Sequence, residues 1–535
     1  MKRIYKITQV ALFGAFIVGC TDLDTAPLSS TITADQKEDV VAADPSKIEA
    51  SVTAITANFT QYAKIYTEDD NVHSDIGYPT IMLATDSRTT DFVADITGYN
   101  WYSNSANYSD CLSTSTATIE FWGTLYNQIY TANAVIGTVD NETSDPTLQF
   151  YLAQALAIRA FDYFTLVQLY QFNYKGHEDA PGVPIITSEN AEEVAANGCA
   201  RSTVKETYEF ILGDLNKAIE LLANTKKTRS DKRYVSLDVA YGIRARVHLT
   251  MHNYADALKD AEAALASTSS VPYSSAAVSK PTFIDIEDAS WMWGILITDK
   301  DRVSTTGICN FPSHMGSLNY GYASVGGWRR ISPKLYNQIP ESDVRKGWFL
   351  DDTGVSVNLP AAAQAYITKK GAPVYTQVKY GPMNDEWGSN NNATDVILMR
   401  VEEMYLIKAE AQAMNNDVSG GVNTLNSFVN TYRDPSYKCT ATTGEAVQEA
   451  VWHQRRIEFW GEGLAYFDIM RLNKGVNRLG CGFPKTAVFN IAAGDPVQIY
   501  SIPNKEVQYN PLYLLQLRYL MKNKLIIKRI EYEIY

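Results

Sequence analysis

Several features that would place a chain in a well-known class are missing here. Cysteine is scarce, with six in 535 residues: Cys20, Cys111, Cys199, Cys309, Cys439 and Cys481. None forms a C-x-x-C pair, so zinc and thioredoxin-like motifs are absent. The spacing is too wide for a disulfide framework, and all but Cys20 read as small buried thiols. Basic residues are in deficit, 47 against 60 acidic, for a net charge of −13. Nucleic-acid phosphates call for a basic face, so that ligand class is excluded. No G-x-S-x-G elbow, P-loop or H-E-x-x-H helix occurs. His248 and His252 have a metal-compatible spacing of four, but they lie in a helical repeat without the glutamate and read as structural. Ser202-Thr203-Val204-Lys205 matches S-x-x-K without its S-D-N or K-T-G partners. Thr203 and Glu206 have capping-box spacing instead, which marks a helix start. No metal or cofactor is expected.

What is present describes a large folded body. Hydrophobic residues make up 45% and charged residues 20%, an ordinary globular balance that rules out disorder over most of the length. A prior of ~150 residues per domain allows three units or one large one. Tyrosine is abundant, 34 against 18 phenylalanines and 9 tryptophans, which suggests half-buried aromatic faces with polar tips.

Residues 1–19 read as a signal peptide: Lys2, Arg3 and Lys6 precede an apolar run from Val10 to Val18 that is too short for a span of ~20 residues. Ile17-Val18-Gly19-Cys20 resembles a bacterial lipobox, which makes Cys20 the lipidated first residue of the mature chain. Several acyl chains would anchor it firmly, at ~0.8 kcal/mol per buried methylene. The acidic Thr21–Thr25 stretch looks like the surface-export signal of Bacteroidota lipoproteins. Residues 20–45 are expected to form a tether.

The body reads mainly as helix. Leu152, Leu156, Tyr163 and Val167 recur at helical spacing, with Ala153, Ala157, Ala160 and Phe164 beside them, up to Pro181-Gly182-Val183-Pro184. Val239–Leu265 matches the tetratricopeptide pattern. Small Ala240, Gly242 and Ala245 sit on its first helix, Asn253 at a turn that tolerates left-handed backbone, and Tyr254, Ala257, Ala261 and Ala264 on its second. A weaker copy spans Val401–Tyr432, so the repeats are not a simple tandem array. Segments 70–110 and 267–393 are rich in Gly, Pro, Ser, Asn and aromatics. Segments of that length are usually functional when ordered.

These residues resemble the SusD/RagB family of outer-membrane lipoproteins. The match rests on the lipobox with its acidic follow-on and on the helix QALAIRAFDYFTLVQLY before PGVPIIT. It rests also on the repeat at Val239–Leu265, on MRVEEMYLIKAEA at Met399–Ala411, on HQRRIEFWGEGLAYFDIMRL at His453–Leu472, and on the close from Ile502 to Pro511. The resemblance implies a mainly α fold: a single domain, residues 46–511, with tetratricopeptide-like repeats on one side and an irregular, ligand-bearing half. It implies a non-enzymatic, cell-surface binder of glycans, or of peptides in some members. Such a protein acts as a lid on a SusC-like TonB-dependent transporter in the outer membrane. Residues 512–535 depart from the family. They carry five basic and two acidic residues, and read as an amphipathic extension or a change of reading frame.

Sugars are held by hydrogen bonds at their edges and by stacking of C–H faces on aromatic rings. The candidate ligand residues are therefore Trp101, Tyr102 and Asn104 in GYNWYSNSANY, Asp86 and Arg88 in ATDSRTTD, and Tyr320, Tyr322 and Trp328 in SLNYGYASVGGWRR. For the aromatics the alternative is ordinary loop packing or core; for Asp86 and Arg88 it is a surface ion pair or turn. Trp291 and Trp293 share one strand face and read as core. Arg455, Arg456, Glu458, Glu462, Asp468 and Arg471 read as a structural ion-pair network. Two further readings stay open: a peptide-binding member of the family, and a secreted all-helical glycoside hydrolase, since paired carboxylates are set in three dimensions.

Overall fold

A computed structural model describes residues 34–61, 72–305 and 308–513. Cys20, the signal peptide and residues 514–535 lie outside the described residues. Within the stretch expected as tether, Ala34–Ala43 already forms a helix (α1) with Val41 buried.

Helix α2 (Glu49–Ala57) and α3 (Tyr78–Ser87) lead to a short strand, β1 (Phe92–Ala94). Two long helices follow, α4 (Thr116–Ile136) and α5 (Pro146–Tyr170). Asp145 starts α5: its carboxylate accepts the Thr147 and Leu148 N–H groups at 2.8 and 3.0 Å, with Pro146 in the first turn. The sequence pattern suggests one wide apolar face, yet every residue from Phe150 to Tyr170 is buried. A helix buried all round is the centre of a core. After α6 (Ala191–Asn197) comes α7 (Val204–Asn224), which opens with the expected capping box between Thr203 and Glu206.

The first repeat forms α8 (Leu237–Thr250) and α9 (Tyr254–Ser267). At its turn the left-handed residue is His252, with φ +62°, while Asn253 is at −83°. The His252 ring is anchored by a 2.9 Å contact from Nε2 to the Arg471 carbonyl. His248 instead lies 3.8 Å from Asp260, so the two rings serve different partners. The chain then leaves the helices, forms β2 (Trp291–Ile295) and β3 (Arg329–Ile331), and returns through β4 (Val396–Arg400). The second repeat follows as α10 (Val401–Met414) and α11 (Val418–Tyr432), then α12 (Gly444–Glu458), α13 (Ala465–Arg471) and α14 (Asn504–Tyr509).

Helices α4, α5, α7, α8, α9 and α10 pack each on the next, and α10 packs on α11 and α12. The two repeat copies are far apart in sequence but adjacent in space, as α9 lies on α10. This is the helical, tetratricopeptide-like stack expected. Where α8 meets β4 the approach is close because the residue is small: a Cβ on Gly242 would meet Met399 Sδ at 2.5 Å.

Antiparallel pairing of β2 with β4 roots the long insertion on the stack. Trp291 and Trp293 are fully buried there, their indole N–H groups donating to Tyr273 Oη and the Arg233 carbonyl at 2.7 and 3.0 Å. Antiparallel β1 and β3 pair Phe92 with Ile331 and Ala94 with Arg329. The charged set around α12 is a buried network that ties the stack to the insertion. Glu458 meets Arg433, Arg400 and Arg345 at 2.8, 3.1 and 3.2 Å, and Glu462 meets Lys379 and Arg400 at 2.6 and 2.8 Å. Asp468 bridges Arg455 and Arg471, and Arg456 pairs with Asp91. Burial alone would raise the Glu458 pKa, but the three guanidiniums hold its carboxyl well below the usual range.

Candidate ligand-binding face

The short β1–β3 ladder brings together the two aromatic segments singled out in the sequence. The loop after β1 carries Trp101 and the loop before β3 carries Tyr322; their rings lie 6.1 Å apart at 63°. His73 joins them, its ring stacked on Trp101 at 4.8 Å and its Nδ1 2.5 Å from Tyr322 Oη. Behind them, buried His314 stacks on the other side of Tyr322 at 5.1 Å and contacts the His73 carbonyl through Nε2 at 2.9 Å. Burial lowers the His314 pKa to about 3, so this layer is neutral. Tyr99 and Tyr320 extend the face outward, about half exposed. Tyr99 lies over Gly326, where a Cβ would meet its ring at 2.8 Å; with φ at +141°, glycine suits that position twice over.

The rings are held in place by polar contacts below. Fully buried Arg329 donates to Asn100 Oδ1 and to the His314 carbonyl, each at 2.8 Å. Asn100 in turn donates to the Asp95 carbonyl and accepts the Tyr102 N–H. Rigid support of this kind fixes ring orientation before a ligand arrives. Beneath Trp101 is a small polar cavity of about 60 Å³ lined by Asn104, Thr80 and Glu120 among others. Glu120 Oε1 is buried there without a hydrogen-bond partner. Burial and then Asp75 raise its pKa well above the ordinary carboxyl value, which favours the neutral acid.

Of the eight ligand candidates, Trp101, Asn104, Tyr320 and Tyr322 reach the surface here. Four do not. Tyr102 is buried, with its hydroxyl donating to the Ser74 carbonyl and its ring edge-on to His314. Trp328 packs in a small apolar cluster with Leu318, Leu350, Ile367 and Val378. Asp86 is 2% exposed and accepts the Gly463 N–H at 3.0 Å. Arg88 is sealed between the Tyr108 and Tyr500 rings, paired with Asp110 and donating to the Val497 carbonyl. Asp86 and Arg88 are thus buried inside the fold rather than forming a surface ion pair. Sequence reasoning also missed His73 and Tyr99. Tyr99 stands two before Trp101, a signal that was available; nothing local marks His73, which is placed by the fold. Among the described residues, no three His, Cys, Asp or Glu side chains converge as a metal site. Nor is any helix among them long and apolar enough to cross a membrane.

The loop-rich face on a repeat-helix stack defines the fold class, a mainly helical domain with tetratricopeptide-like repeats on one side. Residues 35–249 match the family described as "Starch-binding associating with outer membrane", and residues 340–523 match the SusD family. The chain belongs to the SusD/RagB family. It is 25% identical over 392 residues to SusD-like protein P2 of Formosa agariphila, covering 66% of this chain and 72% of the relative. To SusD-like protein P38 of the same organism it is 23% identical over 404 residues, covering 67% and 73%. Its fold matches a SusD-like carbohydrate binding protein from Bacteroides vulgatus with a TM-score of 0.70, 23% identity, and coverage of 87% and 96%. Surface glycan-binding protein A from Bacteroides thetaiotaomicron, solved with laminarihexaose, matches with a TM-score of 0.63 and 18% identity over 87% and 98% of the two chains.

Proposed function

We propose that this protein is a cell-surface lipoprotein that captures a glycan and hands it to a SusC-like TonB-dependent transporter in the outer membrane. The observation that carries the reading is the convergence of Trp101, Tyr322 and His73 into one supported aromatic layer. Exposed Tyr99 and Tyr320 extend it, and Asn104 stands beside it as a hydrogen-bonding group. Flat rings receive the C–H face of a sugar, and amide and hydroxyl groups receive its edge. No step in this reading breaks a bond in the ligand. The family described for residues 35–249 supports the outer-membrane setting, and Cys20 supplies the acyl anchor.

Affinity electrophoresis and calorimetry against a panel of polysaccharides test the reading. One or more glycans should bind, with binding lost in Trp101→Ala at unchanged melting temperature. Full binding by that variant removes Trp101 from the site. Release of product from the bound glycan, abolished by a single carboxylate substitution, would replace the reading with a hydrolase.

A further inference from the structure

A second concavity lies away from the aromatic face. It is a groove of about 720 Å³ walled by α4, α6 and the segment around α14. Ile129, Val194 and Ala195 make its walls largely apolar, and on its rim Tyr130 and Tyr509 are 73% and 81% exposed. Aromatic surface left this open beside an apolar groove marks a place that something covers.

The chain itself runs along this groove. Asn510 accepts the Cys199 N–H at 3.2 Å and donates to the Cys199 carbonyl at 2.7 Å. Gly198, with φ +78°, allows that approach, since a Cβ there would meet Asn510 Oδ1 at 2.4 Å. Tyr513, the last described residue, is buried two residues beyond the groove-lining Pro511. The next 22 residues, LLQLRYLMKNKLIIKRIEYEIY, include 13 apolar or aromatic side chains, five basic and two acidic. The groove side is acidic on balance: Lys37 and Glu506 line it, and α6 exposes Glu192 and Glu193 beside it. A covalently attached segment also meets its site at an effective concentration of the order of millimolar.

We propose that residues 514–535 dock in this groove, with leucine and isoleucine side chains covering Ile129, Val194 and Ala195 and basic ones facing Glu192, Glu193 and Glu506. Cys199 provides the test, because it lines the groove half-buried while the other described cysteines are buried. In the full chain carrying Cys20→Ser, a cysteine is introduced at Leu514, Leu517 or Met521, one at a time, followed by mild oxidation. A disulfide requires Cα atoms within about 7 Å. At least one of these positions should therefore give an intrachain disulfide to Cys199, read by peptide mass spectrometry. Ala195→Arg, which fills the groove, should cut its yield at least fivefold at unchanged melting temperature. Absence of any intrachain disulfide overturns the proposal. Covalent dimers through Cys199 overturn it in favour of a second copy. Flotation of the full chain with phosphatidylglycerol vesicles, lost when residues 514–535 are removed, overturns it in favour of a membrane surface.

Discussion

The helical stack and the loop-rich half satisfy the same physical requirement in opposite ways. In the stack, each helix pairs its own N–H and carbonyl groups, and the contacts between helices are left to small and apolar residues such as Ala240, Gly242 and Ala245. The other half buries irregular backbone, whose polar groups need partners from elsewhere. Buried cations supply many of them. Arg478 donates to the carbonyls of Ser87, Thr89 and Ala106, Arg329 to that of His314, and Lys379 to those of Glu458 and Trp460. Arg88, Arg329, Arg345, Arg400, Arg433 and Arg478 are all fully buried. A face shaped by loops rather than helices thus depends on charge in the interior.

The largest test of this contrast is Glu458→Gln. It removes a carboxylate shared by Arg345, Arg400 and Arg433, leaving Asp343, Glu402 and Glu462 to balance them and Lys379, and this excess of buried positive charge should cost about 3–5 kcal/mol at neutral pH by urea denaturation. The Glu458 pKa is depressed in the fold, so its contribution is present above the unfolded carboxyl range and fades as pH falls below about 4.5. The gap between variant and parent should narrow there; a gap independent of pH would sever Glu458 from the network's charge. Asp86 works in the other direction. Burial, opposed by the Gly463 N–H, raises its pKa to about 7. The folded state then holds a proton that the unfolded chain releases, so stability falls as pH rises from about 4 to 7. Asp86→Asn should stabilise the protein at pH 8, by at most about 4 kcal/mol, and give no gain at pH 4. Equal effects at both pH values would refute this. Trp101→Ala should weaken glycan binding about tenfold or more without lowering the melting temperature, placing it on the loop-rich side of the contrast but outside the supporting core. Smallest is Thr203→Ala, which removes one cap from α7 for about 1 kcal/mol and leaves glycan binding untouched.

The stack was legible because its rules are local. The cap at Thr203, the small residues on α8 and the second copy at Val401 are all visible within a few turns of chain. Even there, the turn assigned to Asn253 is made by His252, because a contact to Arg471, 219 residues away, fixes the ring. The loop-rich half was legible only in outline. Both aromatic segments were recognised and do meet, but Tyr102 and Trp328 point inward while Tyr99 and His73 join the face. Which ring of an adjacent pair faces water depends on Arg329, Asn100 and His314, and no periodicity encodes those partners. Asp86 and Arg88 misled for a related reason: in this half of the molecule, charged residues are a building material of the interior.

The ladder between β1 and β3 joins Phe92 to Ile331, and it brings the loops of Trp101 and Tyr322 side by side. A chain interrupted between residues 105 and 329 carries Trp101 and Asn104 but lacks the strand that completes the ladder. Under the proposed function, competence to hold cargo therefore requires the long insertion to close back on the N-terminal third. Under the proposed function, misfolded or clipped copies would be silent rather than decoys competing for glycan.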